Sequence, residues 1–138
     1  MKYLLDTMVW LWSRGPAEKI GDAGRQVLED STSEIYLSVA SSWEIAIKAR
    51  LGKYRLPDSP ERYVPRKLGQ QGIRSLAVTL DHSLKVFSLP LYHHDPFDHL
   101  LMAQAVLERM VILTSDRIFA KYPVDVLWCG TQRGGTKT

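Results

Sequence analysis

Residues 3–7 read Tyr3-Leu4-Leu5-Asp6-Thr7, an apolar run that ends in a carboxylate. Such a run suits a short buried strand of a parallel sheet. In open α/β sheets ligands bind outside the carboxyl ends of the strands. Asp6 therefore stands where a site would be built, with later segments bringing further groups to it. The same residues also have a local reading, in which Asp6 caps the helix that starts near Met8.

Outward from this stretch, helical and strand patterns alternate. Met8-Val9-Trp10-Leu11-Trp12 predicts a short helix that Gly15-Pro16 breaks. Asp22 caps a helix through Glu29, with Val27 and Leu28 inward. Residues 34–38, EIYLS, favour a second strand. Over residues 42–51, Trp43, Ile47 and Leu51 recur at spacing four, with Ile45, Ala46 and Ala49 widening the stripe. That predicts an amphipathic helix, started by Ser41 or Ser42 and stopped by Gly52. A helix from Pro60, a third strand over 73–78 and a short helix capped by Thr79 or Asp81 follow. Asp95-Pro96-Phe97-Asp98 is a strong helix start, with Asp95 as N-cap and Pro96 in the first helical position. Residues 110–114, MVILT, form a fourth strand, and Asp116 follows it as Asp6 follows the first. A short helix over 118–121 and a strand over 124–127 complete a single domain over residues 1–129. Residues 130–138 have little to bury and predict a mobile tail. Alternating strands and helices mean a parallel sheet covered on both faces.

The composition is that of an ordinary soluble chain, with 138 residues, 45% of them hydrophobic and 24% charged. No apolar run is long enough to span a bilayer, and the start lacks the regions of a signal peptide. The expected location is the cytoplasm, without membrane contact. The lone Cys129 forms no internal disulfide, which fits a reducing compartment. A net charge of +3 is compatible with a polyanionic substrate but does not by itself specify one.

Four carboxylates stand out by placement. Asp6 and Asp116 each follow a strand, Glu44 lies near the start of the helix after the second strand, and Asp98 lies in the first turn of its helix. All four belong at the carboxyl-end edge of the sheet, where they would repel one another. A hard divalent cation, Mg²⁺ or Mn²⁺, would relieve that repulsion and activate water against a phosphodiester. Taken singly each acid has a local role. Glu44 can pair with Lys48 at i, i+4, Asp98 can favour the helix dipole, and Asp116 can cap the short helix after it. Independent caps, however, need not share one sheet edge. Thr7, Thr114 and Ser115 can orient carboxylates or serve as turn and cap hydroxyls.

These residues resemble the PIN-domain ribonucleases, specifically the VapC toxins of type II toxin–antitoxin pairs. The likeness lies in Leu4-Leu5-Asp6-Thr7, in Ser41-Ser42-Trp43-Glu44-Ile45, in residues 95–105 (DPFDHLLMAQA) and in Leu113-Thr114-Ser115-Asp116. It implies a three-layer α/β/α sandwich with a mostly parallel sheet and a metal-dependent endoribonuclease that hydrolyses RNA with metal-activated water. Its four acids fall on Asp6, Glu44, Asp98 and Asp116. Asp6, Asp98 and Asp116 would hold the metal, and Glu44 would join them or orient the attacking water. It also implies a homodimer and a VapB-like antitoxin that puts a basic residue into the acidic site. The chain departs from the family at His99, where arginine is common; a protonated histidine there can still reach phosphate. His93 and His94 read as polar loop residues near RNA, because the oxygen donor set is complete without them.

Lys48, Arg50, Lys53, Arg55 and Arg117 are the candidate cations for an RNA backbone. Trp10, Trp12 and Trp43 lie on helices near the site, where a base can stack or a core or partner can be packed. A haloacid-dehalogenase-like phosphatase would need an acid at Met8, and a receiver-like domain would need paired early acids. The remaining alternatives are a solitary PIN nuclease and a silent RNA-binding PIN-like domain, the latter usually lacking some of the acids.

Overall fold

A computed structural model of the chain describes residues 1–131. Five parallel strands form one sheet in the order β3-β2-β1-β4-β5. They are β1 (Lys2–Leu5), β2 (Glu34–Ser38), β3 (Arg74–Leu76), β4 (Val111–Thr114) and β5 (Val126–Trp128). Between them run α1 (Thr7–Ser13), α2 (Asp22–Glu29), α3 (Val39–Arg50), α4 (Pro60–Gln71), α5 (Leu80–Lys85) and α6 (Pro96–Glu108). Short 3-10 turns cover Ala17–Lys19, Val86–Ser88 and Arg117–Lys121. Among the described residues no helix is long and apolar enough to cross a membrane. Of the expected tail over residues 130–138, residues 132–138 lie outside the described residues.

The central position of β1 explains its composition. Leu4 and Leu5 are completely buried, and alternation sends them to opposite faces of the sheet. Leu5 and Leu113 join Val9, Trp10, Leu37, Ile45, Val64 and Leu68 in one layer of core. Leu4 and Ile112 join Leu101, Met102, Ala105 and Phe119 in the other. The result is a three-layer α/β/α sandwich.

The helix starts are built from local chemistry. Asp95 caps α6 by accepting the N–H groups of Phe97 and Asp98 at 2.9 and 3.2 Å, with Pro96 in the first position. Thr79 caps α5 in a capping box whose return bond runs from the Thr79 N–H to His82 Nδ1. Gly72 ends α4 in the left-handed conformation at φ 68°.

Three expectations are corrected. Helix α3 begins at Val39 and is capped by Ser38, three residues before the expected start. Only part of its stripe faces the core: Ile45 is buried and Ile47 and Ala49 are half-buried, whereas Ala46 is exposed, Trp43 is 61% exposed and Leu51 63% exposed. The buried side of α3 is built by Ala40, Ser41, Glu44 and Ile45, so a carboxylate shares the inward face with the apolar side chains. The third strand spans three residues rather than six, because it lies at the sheet edge with a single neighbour.

Candidate active site

From β1 the chain steps outward to β2 and β3, then returns to the other side of β1 for β4 and β5. The strand order therefore reverses between β1 and β4, the place where open α/β sheets form a binding crevice. Asp6 leaves the end of β1 and Thr114-Ser115-Asp116 leave the end of β4, side by side across that reversal. Helix α3 brings Glu44 from one side, and the capped start of α6 brings Asp98. A cavity of about 400 Å³ is lined by all four acids together with Thr7, Lys48, Tyr54, Asp95, Ser115 and Arg117.

Asp6 occupies the cap position of α1, yet its side chain makes no capping hydrogen bond. Its Oδ2 accepts the Thr114 hydroxyl at 2.9 Å instead. Thr114 Oγ1 in turn accepts the Asp116 N–H at 3.0 Å, so one hydroxyl ties two of the acids together. Asp116 Oδ1 accepts the Ile118 N–H at 3.1 Å, so this residue caps the following 3-10 turn as well as lining the cavity. Thr7 donates to Ser41 Oγ at 2.8 Å and clamps α1 to α3 rather than touching a carboxylate. Ser115 lines the cavity.

The electrostatics reflect crowding of like charge. Burial, then repulsion from Asp6, Asp95, Asp116 and Glu44, pushes the Asp98 carboxyl up to about 8. Burial pushes Asp6 up to about 6 against the lowering effect of the Thr114 bond, with Asp116 and Glu44 adding repulsion. Neighbours offset part of the charge. Lys48 Nζ lies 2.6 Å from Glu44 Oε2, and this bond raises the lysine pKa. The ammonium also sits over the Tyr54 ring, 5.4 Å from its centroid. His93 Nε2 lies 3.0 Å from Asp98 Oδ2.

Not every expected residue reaches this cavity. Lys48 and Arg117 line it, with the Arg117 guanidinium also over the Trp128 ring at 4.6 Å. Arg50, Lys53 and Arg55 are exposed and do not line it. His99 is buried, with its Nε2 3.3 Å from the Tyr122 hydroxyl, so it is packed in the α6 layer and not presented to a phosphate. Trp10 is in the core with its indole N–H on Gln71 Oε1 at 2.8 Å. Trp12 is half-buried under Lys19. Trp43 packs edge-on against Phe97, with the ring centroids 5.5 Å apart. Tyr54 and Tyr122 were not legible as site residues. Tyr54 arrives on an irregular connection and Tyr122 at the end of a 3-10 turn, where no periodicity marks a functional position. Cys129 is buried with its thiol pushed up to about 12, which makes it unreactive.

The donor set fits a hard divalent cation. The four acids contribute only carboxylate oxygens, and the two with raised pKa would be relieved by positive charge. Among the described residues no three candidate ligands are already closed around one point. Glu44 also bonds Lys48, and Asp98 bonds His93.

A PIN domain family model matches residues 3–125. Ribonuclease VapC16 of Mycobacterium tuberculosis is 41% identical over 59 residues, a stretch that covers 43% of this chain and 42% of that protein. Among solved structures, VapBC2 from Rickettsia felis, bound to a DNA fragment from their promoter, matches with a TM-score of 0.71 at 13% identity. The match covers 94% of this chain and 99% of that one. A toxin–antitoxin complex from Klebsiella pneumoniae matches with a TM-score of 0.62 at 18% identity, covering 91% of this chain and 95% of that one. At such identities these two structures bear on the fold alone.

Proposed function

The chain belongs to the PIN domain family, and from that premise we propose that it is a divalent-metal-dependent endoribonuclease, the toxin of a type II toxin–antitoxin pair. The observation that carries this reading is the meeting of Asp6, Glu44, Asp98 and Asp116 in one cavity at the reversal of strand order. Asp6, Asp98 and Asp116 hold Mg²⁺ or Mn²⁺, with Glu44 as a further ligand or as the group that orients the attacking water. The ion, when bound, supplies charge neutralisation, polarises a phosphodiester oxygen and lowers the pKa of water.

The residues of the chain do the rest. Thr114 holds Asp6 and the Asp116 backbone in one frame. Lys48 and Arg117 meet the RNA phosphate at the cavity wall, and Lys48 balances Glu44 until then. In this reading Glu44, which bonds Lys48 at the cavity wall, accepts a proton from the attacking water. The reading also gives the chain two protein partners, a VapB-like antitoxin and a second copy of itself. Support for the antitoxin comes from the fold shared with chains solved as toxin–antitoxin complexes.

The test is cleavage of RNA by the purified chain with Mg²⁺ or Mn²⁺ and with chelator. Cleavage is expected only with metal. Asp6→Asn and Asp98→Asn, each with an unchanged circular dichroism spectrum, lose at least about 100-fold in rate, more than an outer partner of a ligand usually costs. Equal cleavage by wild type and Asp6→Asn would remove the catalytic assignment.

A further inference from the structure

His93 lies two residues before the cap of α6 and is partly buried beside the cavity. Both of its ring nitrogens are engaged. Nε2 is 3.0 Å from Asp98 Oδ2, and Nδ1 is 2.7 Å from the Tyr122 hydroxyl. The same phenol oxygen accepts two backbone N–H groups, those of Tyr92 at 3.0 Å and of His93 at 3.1 Å.

This count of partners fixes a proton. A phenol hydroxyl has one proton to donate and room for at most two acceptor bonds. The two backbone N–H groups fill that room, so the Tyr122 hydroxyl is left as a donor. The nearer ring nitrogen, His93 Nδ1, takes its proton in preference to His99 Nε2 at 3.3 Å. A neutral imidazole that accepts at Nδ1 carries its own proton on Nε2. Nε2–H therefore donates to Asp98 Oδ2. No ring nitrogen is left with a free lone pair, so His93 is not itself a metal ligand.

We propose that His93 is a positioning residue for Asp98, in a tautomer set by Tyr122. It pins Oδ2, and so leaves Oδ1, which makes no hydrogen bond among the described residues, as the oxygen offered to a cation. The backbone bonds to Tyr122 hold the loop of Tyr92 and His93 in register with the start of α6, so the phenol anchors both the ring and its carrier. Hydrogen-bonded partners of ligating carboxylates tune metal sites in this way. The proposal rests on Asp98 being a metal ligand.

Two measurements on the full chain test it without reading RNA cleavage. Nitrogen-15 NMR of the metal-free protein reports the tautomer of each histidine, with the His93 signals assigned by their loss in His93→Gln. The expected result is a proton on Nε2 of His93 in wild type, with that preference lost in Tyr122→Phe. A wild-type ring protonated on Nδ1 overturns the proposal. The second measurement is Mn²⁺ titration followed by electron paramagnetic resonance. His93→Ala should weaken Mn²⁺ binding by about 10- to 100-fold. His93→Gln, whose amide N–H reaches towards the same oxygen, should restore most of it. Unchanged Mn²⁺ affinity in a folded His93→Ala overturns the proposal. A chain that meets both expectations but cleaves no RNA counts against the nuclease reading alone.

Discussion

Asp98 shows how one side chain couples the site to the stability of the fold. A carboxyl in the unfolded chain titrates near about 4, whereas burial and neighbouring acids push native Asp98 up to about 8. Between those values the metal-free native state keeps a proton that the unfolded state has lost. The contribution of Asp98 to stability is therefore most favourable at low pH and declines as pH rises towards about 8. Asp6, pushed up to about 6, adds a decline of the same sign that ends earlier. Thermal melts in chelator should show a transition temperature that falls as pH is raised over this range. Asp98→Asn should flatten the decline and raise stability near pH 8 by on the order of 1–3 kcal/mol. Saturating Mg²⁺ or Mn²⁺ should reverse the trend, since ligation needs the ionised form. A melting curve that does not respond to pH in the metal-free wild type would contradict the crowded-acid description. At this scale the acids were legible because each sits beside a recognisable strand end or helix start. The second reading of Asp6, as a helix cap, fell because its carboxylate bonds Thr114 and makes no capping bond to α1. Of the partners, Lys48 was legible as the i, i+4 mate of Glu44, whereas His93 and Tyr122 were not: His93 meets Asp98 from a loop 5 residues before it, and Tyr122 meets His93 across 29 residues, with no periodicity to link them.

Among the elements, α6 was the easiest to read and α3 the hardest. Capping residues act locally, so Asp95-Pro96 marked the start of α6 without tertiary help. Helix α3 shows the opposite case. Hydrophobic spacing assumes that the apolar stripe faces the core, but here Glu44 shares the inward face with Ile45, and Trp43 and Leu51 are left exposed. An apolar row next to a functional acid can thus point outward, a conflict expected where a site overrides local rules. Helix α2 carries a constraint that composition did not reveal. A Cβ on Gly24 would lie 2.7 Å from Cys129 Sγ and 2.9 Å from Ile20 Cγ2, so this glycine lets α2 approach the end of β5. Gly24→Ala gains helix propensity of about 1 kcal/mol but meets buried atoms on two sides. Overpacking of this kind costs about 1–3 kcal/mol, and the net change in urea denaturation should be destabilising. Adding Cys129→Ala, which removes the nearer atom, should recover part of the loss. An additive double variant would show that the clash is not what makes Gly24 necessary.

For the molecule as a whole, the face formed by α5 and the turn after it is the least suited to water. Leu80, Leu84 and Leu91 are well exposed, and Phe87 is 96% exposed. Large apolar side chains exposed this close together in sequence suit an interface. The charges beside it suit a second copy of the same chain. Leu80, Leu84 and Phe87 share one side of the segment, and Asp81 and Lys85 lie together on one flank of that stripe, with neither in an ion pair among the described residues. In a two-fold contact the same patch meets itself. When two such helices pair antiparallel, like flank meets like flank, so Asp81 of one copy approaches Lys85 of the other. The homodimer proposed above, if seated on this face, is read by light scattering after size-exclusion chromatography. Wild type should run as a dimer, and Phe87→Asp as a monomer. Asp81→Lys alone places two lysines against two lysines, and Lys85→Asp alone places two aspartates against two aspartates, so each should dissociate somewhat more readily than wild type. Mixed together, the two single variants should pair with each other, because every cross-contact is then of opposite sign. Ion pairs at a solvated rim change selectivity more than total affinity, which is why the mixed pair, and not the strength of either parent, is the informative measurement. A dimer that survives Phe87→Asp would place the interface elsewhere.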